Sequence, residues 1–352
     1  KKWTSNTEKI AESEVKEYGF TMPAEDVTLT ANGAINTYTI KYDLAGGNLG
    51  EGITNKEEYT VETESFTLNN PSKVGYTFAG WTGSNGEIAQ TTVTIAKGNT
   101  ENKIYTANWT PRKDTIYKIE TYEMDFAGKY EKVEEENKTE ETDSKIKVNP
   151  GVKEGFTFNP NISIVEAKVV PDGSTVLKLY YNRNQYTLER TAEIGGAVSG
   201  NSGLTYYDAS VTVKAIANAG YTFVGWYEGT TKISSNATYT FNMPAKNYTL
   251  VAKFTENEYT ITYNLDGGTV TGNPTTYTVE TENFTLNNPS KVGYTFVGWT
   301  GSNGETAQTT VTIAKGSTGN KTYTATWTIN AYTLTINPNG GTWGGKTTNS
   351  TA

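Results

Sequence analysis

The chain has 352 residues, 30 Lys and Arg against 38 Asp and Glu for a formal net charge of −8, and neither cysteine nor histidine. Those two absences exclude disulfides, thiolate metal sites, cysteine nucleophiles, the Ser-His-Asp relay and most zinc sites. The net acidic, mixed charge argues against nucleic acid as a partner, which calls for a concentrated basic surface, and no apolar run approaches the ~20 residues of a membrane helix.

Hydrophobic residues make up only 35% of the chain, yet there are 24 Tyr, 11 Phe and 7 Trp alongside 35 Gly. Thr, Tyr and Val favour strands and Gly marks turns, so the chain reads as mainly β. Large aromatics supply the burial that small cores need.

Residues 1–31 read as the C-terminal remnant of a repeat module. YGFTMPAEDVTLTA at Tyr18 to Ala31 parallels YTFNMPAKNYTLVA at Tyr239 to Ala252, and Lys9-Ile10 stands where the later copy has Lys232-Ile233. The start at Lys1, without a Met, reads as a fragment or a processed product.

Residues 37–110 form the next module. Tyr38, Ile40, Tyr42 and Leu44 alternate with Thr39, Lys41 and Asp43, and Tyr105, Ala107 and Trp109 close the module with one apolar face. This period of two marks half-buried strands. Tyr59 to Thr63, Gly75 to Trp81 and Thr91 to Ala96 are further predicted strands, and Asn85-Gly86 is a hairpin signal.

Residues 114–182 are a different type, with VEEENKTEETD at Val133 to Asp143 predicted as a solvated hairpin or loop rather than an acidic cation site. Residues 185–255 share the phrase GYTFVGW at Gly220 to Trp226 and end on the alternating Leu250, Ala252 and Phe254. Residues 258–328 repeat the module at 37–110: from Glu280 to Thr328, 42 of 49 positions match Glu62 to Thr110. YTLTINPNGGTW at Tyr332 to Trp343 reads as the start of a further truncated repeat, 332–352. Such a lone opening strand is expected to be poorly ordered unless it docks on a neighbour.

The linkers at 110–114, 182–184, 255–258 and 328–331 are short and polar. They are too short to let modules roam, so the expected shape is an elongated rod of small modules, each about 30 Å across.

GYTFAGW, with the opening YTIKYDLAGG and the closing YTANW, resembles the internalin B-repeat, also called the Listeria-Bacteroides repeat, over residues 37–110 and 258–328. Residues 185–255 resemble the divergent bacterial repeat that accompanies it, and 114–182 is similar to mucin-binding-protein-like modules. The resemblance implies tandem β-grasp-like modules of an extracellular, wall-attached adhesin of a Gram-positive cell, with the anchor outside this chain. It implies a monomer, no cofactor, no membrane insertion, and a host glycoprotein, mucin or glycan as partner. The leucine-rich repeats that carry host recognition in internalins are absent, so no receptor is inherited.

No catalytic, cofactor or metal residue is proposed. The aromatic phrase fits either a sugar-stacking platform or a core, and its recurrence in divergent modules favours the core. The structural core set is Tyr76, Phe78, Trp81, Trp109, Tyr221, Phe223, Trp226, Tyr294, Phe296, Trp299 and Trp327. Glu62 with Glu64, and Glu280 with Glu282, have the spacing of a carboxylate pair for glycoside cleavage, but they fall opposite Tyr59 and Val61 and are expected on a solvated strand face. Asp43 to Gly47 and Asn264 to Gly268 read as turns rather than Ca²⁺ loops. An intramolecular Lys-Asn isopeptide bond has no recognisable motif here. The function expected is a non-catalytic stalk or adhesion region of a cell-surface protein. A carbohydrate- or mucin-binding array, in 114–182 or on exposed tyrosines such as Tyr206 and Tyr207, is the alternative.

Overall fold

The computed structural model describes residues 2–337, 339–341 and 350–351. They form strands and loops without a helix, so no helix among them is long and apolar enough to cross a membrane. The chain divides into two compact units, residues 1–152 with 158–182, and residues 153–157 with 183–352.

In the first unit, Lys2–Ser5 pairs antiparallel with Leu29–Asn32, and Ile10 is buried. The following module is built on a five-stranded sheet ordered Glu58–Thr60, Thr37–Asp43, Lys103–Pro111, Tyr76–Gly83, Gly86–Gln90. Its opening strand Thr37–Asp43 and closing strand Lys103–Pro111 run parallel. The two ends of the module are therefore direct partners within the sheet, and neither buries its backbone polar groups without the other. Ile40, Trp81, Tyr105 and Ala107 of this sheet share one core with Val93 and Ile95, and Ile95 lies in a small antiparallel pair, Phe66–Thr67 with Thr94–Ile95.

Two predicted strands are shorter than expected. The segment from Tyr59 ends as a strand at Thr60, because the Thr60 amide donates to Thr63 Oγ1 at 2.9 Å and closes a turn. Glu62 and Glu64 consequently sit on and just after a turn rather than on a strand face, and both are exposed. Of Thr91 to Ala96, only Thr94–Ile95 is strand.

In residues 114–182, Thr115–Met124 pairs antiparallel with Tyr130–Glu140 and parallel with Val176–Arg183. Most of VEEENKTEETD is thus the exposed edge strand of an antiparallel hairpin, one of the two forms expected for it. Cross-strand lysines make this possible: Lys118 reaches Glu135 at 2.7 Å, and Lys132 reaches Glu120 at 3.2 Å and Glu135 at 2.7 Å. Hydrogen bonds from Lys118 and then Lys132 hold the Glu135 carboxyl down at about 2.

In the second unit, residues 185–255 carry the sheet order Gly203–Tyr206, Gln185–Ala192, Tyr248–Glu256, Tyr221–Glu228, Thr231–Ser234, again with the opening and closing strands parallel. A second antiparallel sheet of Gly196–Gly200, Ser210–Ala217 and Thr238–Asn242 contributes to the same core. Residues 258–328 reproduce the arrangement of 37–110, with Tyr259–Asn264 parallel to Lys321–Ile329. Beyond them, Thr335–Ile336 pairs with Ser350–Thr351. The expectation of poor order over 332–352 falls in part on 338, 342–349 and 352, outside the described residues.

Candidate functional site at the module joints

The recurring aromatic phrase divides between two tasks. Its Phe and Trp lie inside the modules. Trp81, Trp226 and Trp299 have no exposed surface, and Phe78 meets Trp81 and Trp109 edge-on, each at 5.5 Å between ring centroids. Phe223 meets Trp226 at 6.0 Å and Phe296 meets Trp299 at 5.5 Å in the same way.

Phe78 and Trp81 are three apart in sequence, so a regular strand would put them on opposite faces. The ladder with Lys103–Pro111 slips between Phe78 and Gly80, inserting one residue. Gly80 takes φ +132°, and a Cβ there would lie 2.6 Å from the Gln90 nitrogen, so a bulge glycine returns Trp81 to the core. The closing tryptophans lock the opening strands: Trp109 Nε1 donates to the Leu44 carbonyl and Trp327 Nε1 to that of Leu265, both at 3.1 Å. The second glycine of each Gly-Gly turn clears space for that ring, since a Cβ on Gly47 would meet Trp109 at 2.4 Å and one on Gly268 would meet Trp327 at 2.5 Å.

The tyrosines of the phrase do something else. Tyr76, Tyr221 and Tyr294 are outside the core clusters, because each is the first residue of its strand, at the margin of the module. In the second unit the Tyr221 hydroxyl donates to Glu280 Oε1 at 2.5 Å. The preceding Gly220 is so close to Val279 that a Cβ there would stand 1.9 Å from Val279 Cγ1. Val279 is 5% exposed. Lys315 flanks the contact, 3.4 Å from Glu280 and 2.9 Å from Glu282.

The first unit uses the same geometry with different residues. Tyr76 donates its hydroxyl to Asp143 Oδ2, Lys168 pairs with Asp143 Oδ1 at 2.7 Å, and a Cβ on Gly75 would lie 2.6 Å from the Pro171 side chain. Thr142 Oγ1 also donates to the Gly75 carbonyl at 2.7 Å. The joints at Gly75 and Gly220 thus each combine an apolar residue seated on a glycine with a carboxylate that accepts the tyrosine hydroxyl.

The linkers are stapled as well. The Gly220 carbonyl accepts the Asn257 amide at 2.8 Å while Thr222 Oγ1 donates to Asn257 Oδ1 at 2.6 Å. Gly293 with Asn330 repeats this at 2.9 Å, with Thr295 donating to Asn330 Oδ1 at 2.6 Å. Gly155 with Asn184 repeats it at 2.9 Å, with Thr157 donating at 2.7 Å. At Gly75 the donor is the Arg112 amide, at 3.0 Å. Asparagine suits the position because its backbone N–H and side-chain oxygen satisfy two groups at once.

Tyr206 and Tyr207 are not the exposed platform expected of them, for both are half-buried. Tyr207 meets Phe156 edge-on at 5.8 Å and lies over Gly155, where a Cβ would be 2.1 Å from its ring. Asp43 to Gly47 and Asn264 to Gly268 are tight turns, with Ala45 and Asp266 at φ 47° and 48°. Among the described residues no three His, Cys, Asp or Glu side chains are grouped to hold a metal ion. The joints escaped the reading of the sequence. The signal for them was that Gly-aromatic-Thr recurs in three module types, with asparagine in three of the four linkers that follow, more than a core alone requires.

Residues 38–108 and 259–326 match the model of the Listeria-Bacteroides repeat domain, and residues 1–36 and 186–258 match that of the divergent InlB B-repeat domain. Internalin H of Listeria monocytogenes is 42% identical over 80 residues, 23% of this chain and 14% of that protein. A protein of Evansella cellulosilytica named as a Gly-rich membrane protein is 26% identical over 344 residues, 92% of this chain and 37% of that one. The chain thus spans well under half the length of these relatives. A solved structure, the Bacillus anthracis TIE protein, aligns over 84% of this chain and 75% of its own, with 9% identity and a TM-score of 0.30.

Proposed function

We propose that these internalin-type repeats form a non-catalytic region of a bacterial surface protein, an elongated string of β-grasp-like modules that projects or presents binding surfaces away from the cell. The observation that carries the reading is the repeated joint. In both units the recurring aromatic phrase is used for module cores and for seating one module on the next. The parallel pairing of opening and closing strands supports the β-grasp-like assignment, and the matches to repeats of internalin-like proteins support a surface location.

Mechanically, such a string works through reach and orientation. A stapled linker with a docked tyrosine and glycine restricts bending, so whatever the modules present keeps a defined spacing, and weak contacts made together gain from high effective concentration. The cysteine-free background makes the test direct. Nitroxide labels on Asn236→Cys and Glu305→Cys, both exposed positions, report the distance across the joint in the second unit. A narrow distribution is expected; a broad one, as from a free linker, would refute the restricted joint.

A further inference from the structure

The four modules between residues 37 and 328 have one feature in common however their sequences differ. In each, the strand that takes the chain in and the strand that lets it out are parallel neighbours. Thr37–Asp43 pairs with Lys103–Pro111, Thr115–Met124 with Val176–Arg183, Gln185–Ala192 with Tyr248–Glu256 and Tyr259–Asn264 with Lys321–Ile329. The module at 114–182 keeps this pairing although its main sheet has four strands instead of five and it contains no tryptophan.

Parallel pairing fixes how a pull enters the fold. The chain arrives at the start of one strand and departs from the end of the other, and in parallel neighbours those two points lie at opposite ends of one ladder. Tension through the linkers therefore slides the strands past each other, and the evenly spaced bonds of the ladder bear it together. Antiparallel neighbours would satisfy the backbone equally well, but entry and exit would then share one end and the bonds would open singly, as in a zip.

Both loaded strands are also interior to their sheet. In 37–110 the order Glu58–Thr60, Thr37–Asp43, Lys103–Pro111, Tyr76–Gly83 gives each of them a second neighbour, and the same holds in the other three modules. While Ile40 to Asp43 face Lys103 to Thr106, the closing strand is also held along Tyr105 to Pro111 by Tyr76–Gly83. The Trp109 indole N–H, 3.1 Å from the Leu44 carbonyl, extends the lock past the last ladder pair, Asp43 with Thr106. Sliding the closing strand has to break these together, across a core in which Ile40, Tyr105 and Ala107 are packed.

We propose that each module is a load-bearing clamp and that the chain serves to transmit tension along its length. Resistance to a pull is governed by the rate of unfolding rather than by equilibrium stability, so modules of about 70 residues, small enough to be only marginally stable, still hold under load. The clamp rests on strand order inside single modules, whereas the stalk rests on the joints between them, and either can fail without the other.

Pulling on the full chain in two directions tests it. Asn36→Cys precedes the opening strand of 37–110, Thr100→Cys precedes the closing strand and Lys113→Cys follows it. All three positions are exposed, and the chain has no other cysteine. The starts of the two strands lie side by side, the Thr39 amide donating to Asn102 Oδ1 at 2.9 Å. DNA handles on 36 and 113 thus load the ladder in shear, and handles on 36 and 100 peel it from one end. At one loading rate the 36–113 pair is expected to rupture at about threefold the force of the 36–100 pair, because only in shear do the evenly spaced bonds share the load. Rupture between 36 and 113 should release about 250 Å of chain in one step, at ~3.6 Å per extended residue, which identifies the module itself as the element that yields. Equal forces in the two directions would overturn the proposal, and so would release between 36 and 113 in a series of small steps.

Discussion

The Tyr221 hydroxyl and the Glu280 carboxylate share one hydrogen bond, and each shifts the other's titration. The bond to Glu280 is the first cause pushing Tyr221 up to about 12. The same bond, followed by Lys315, lowers Glu280 below its ordinary 4.5. A carboxylate lowered by folding adds stability that is full above its unfolded value and is lost as pH falls through the folded one; a tyrosine raised by folding adds stability that is full below 10.0 and is lost as pH rises through about 12. The distance distribution between labels at 236 and 305 should stay narrow from about pH 5 to 10 and broaden on either side. Glu280→Gln should remove the acid limb, because the group that accepts the Tyr221 hydroxyl can then no longer be protonated. A width that is the same at pH 3 and pH 7 in the unsubstituted joint would contradict this.

Gly220 and Gly293 separate backbone strain from docking. Both have positive φ, +84° and +80°, and among the described residues a Cβ on Gly220 meets Val279 whereas one on Gly293 has nothing within 4 Å. Alanine at either position should cost about 1–2 kcal/mol from the left-handed conformation, measured by chemical denaturation. Gly220→Ala should in addition broaden the 236–305 distance distribution, because its methyl displaces Val279, and Gly293→Ala should leave that distribution alone. Equal broadening by both would place the effect in the backbone and not in the joint.

Gly80→Ala probes the bulge. The added methyl meets Gln90 backbone 2.6 Å away at φ +132°, and neither atom is the end of a flexible side chain. Strain and steric overlap together should cost about 3 kcal/mol. Loss of Trp81 burial should appear as a red shift in emission of the Gly80→Ala chain. A change under about 1 kcal/mol would mean the strand tolerates a regular ladder there.

Much of this was legible in the sequence, and the gaps have physical causes. Tyr38, Ile40 and Tyr42 announced a strand because their period of two survives folding unchanged. Trp81 was placed in the core because its phrase recurs at Gly220 to Trp226 in a divergent module. Tyr76, two residues from Phe78 on the same strand, looked equally internal, and alternation cannot tell that a strand's first residue overhangs the module edge. Glu280 read as a solvated carboxylate because its partner Tyr221 lies 59 residues away in a different module. For the charged segment within Tyr130–Glu140 the sequence left hairpin and loop both open, since the partner that balances Glu135 is Lys118 on the facing strand.

Solution scattering from the intact chain reads the proposed stalk most directly. A single compact body of 352 residues would have a radius of gyration of about 20 Å. Four modules about 30 Å across, set end to end with stapled joints, should give about 35 Å and an elongated pair-distance distribution reaching on the order of 120 Å. A value near 20 Å, with a symmetric distribution, would contradict a stalk.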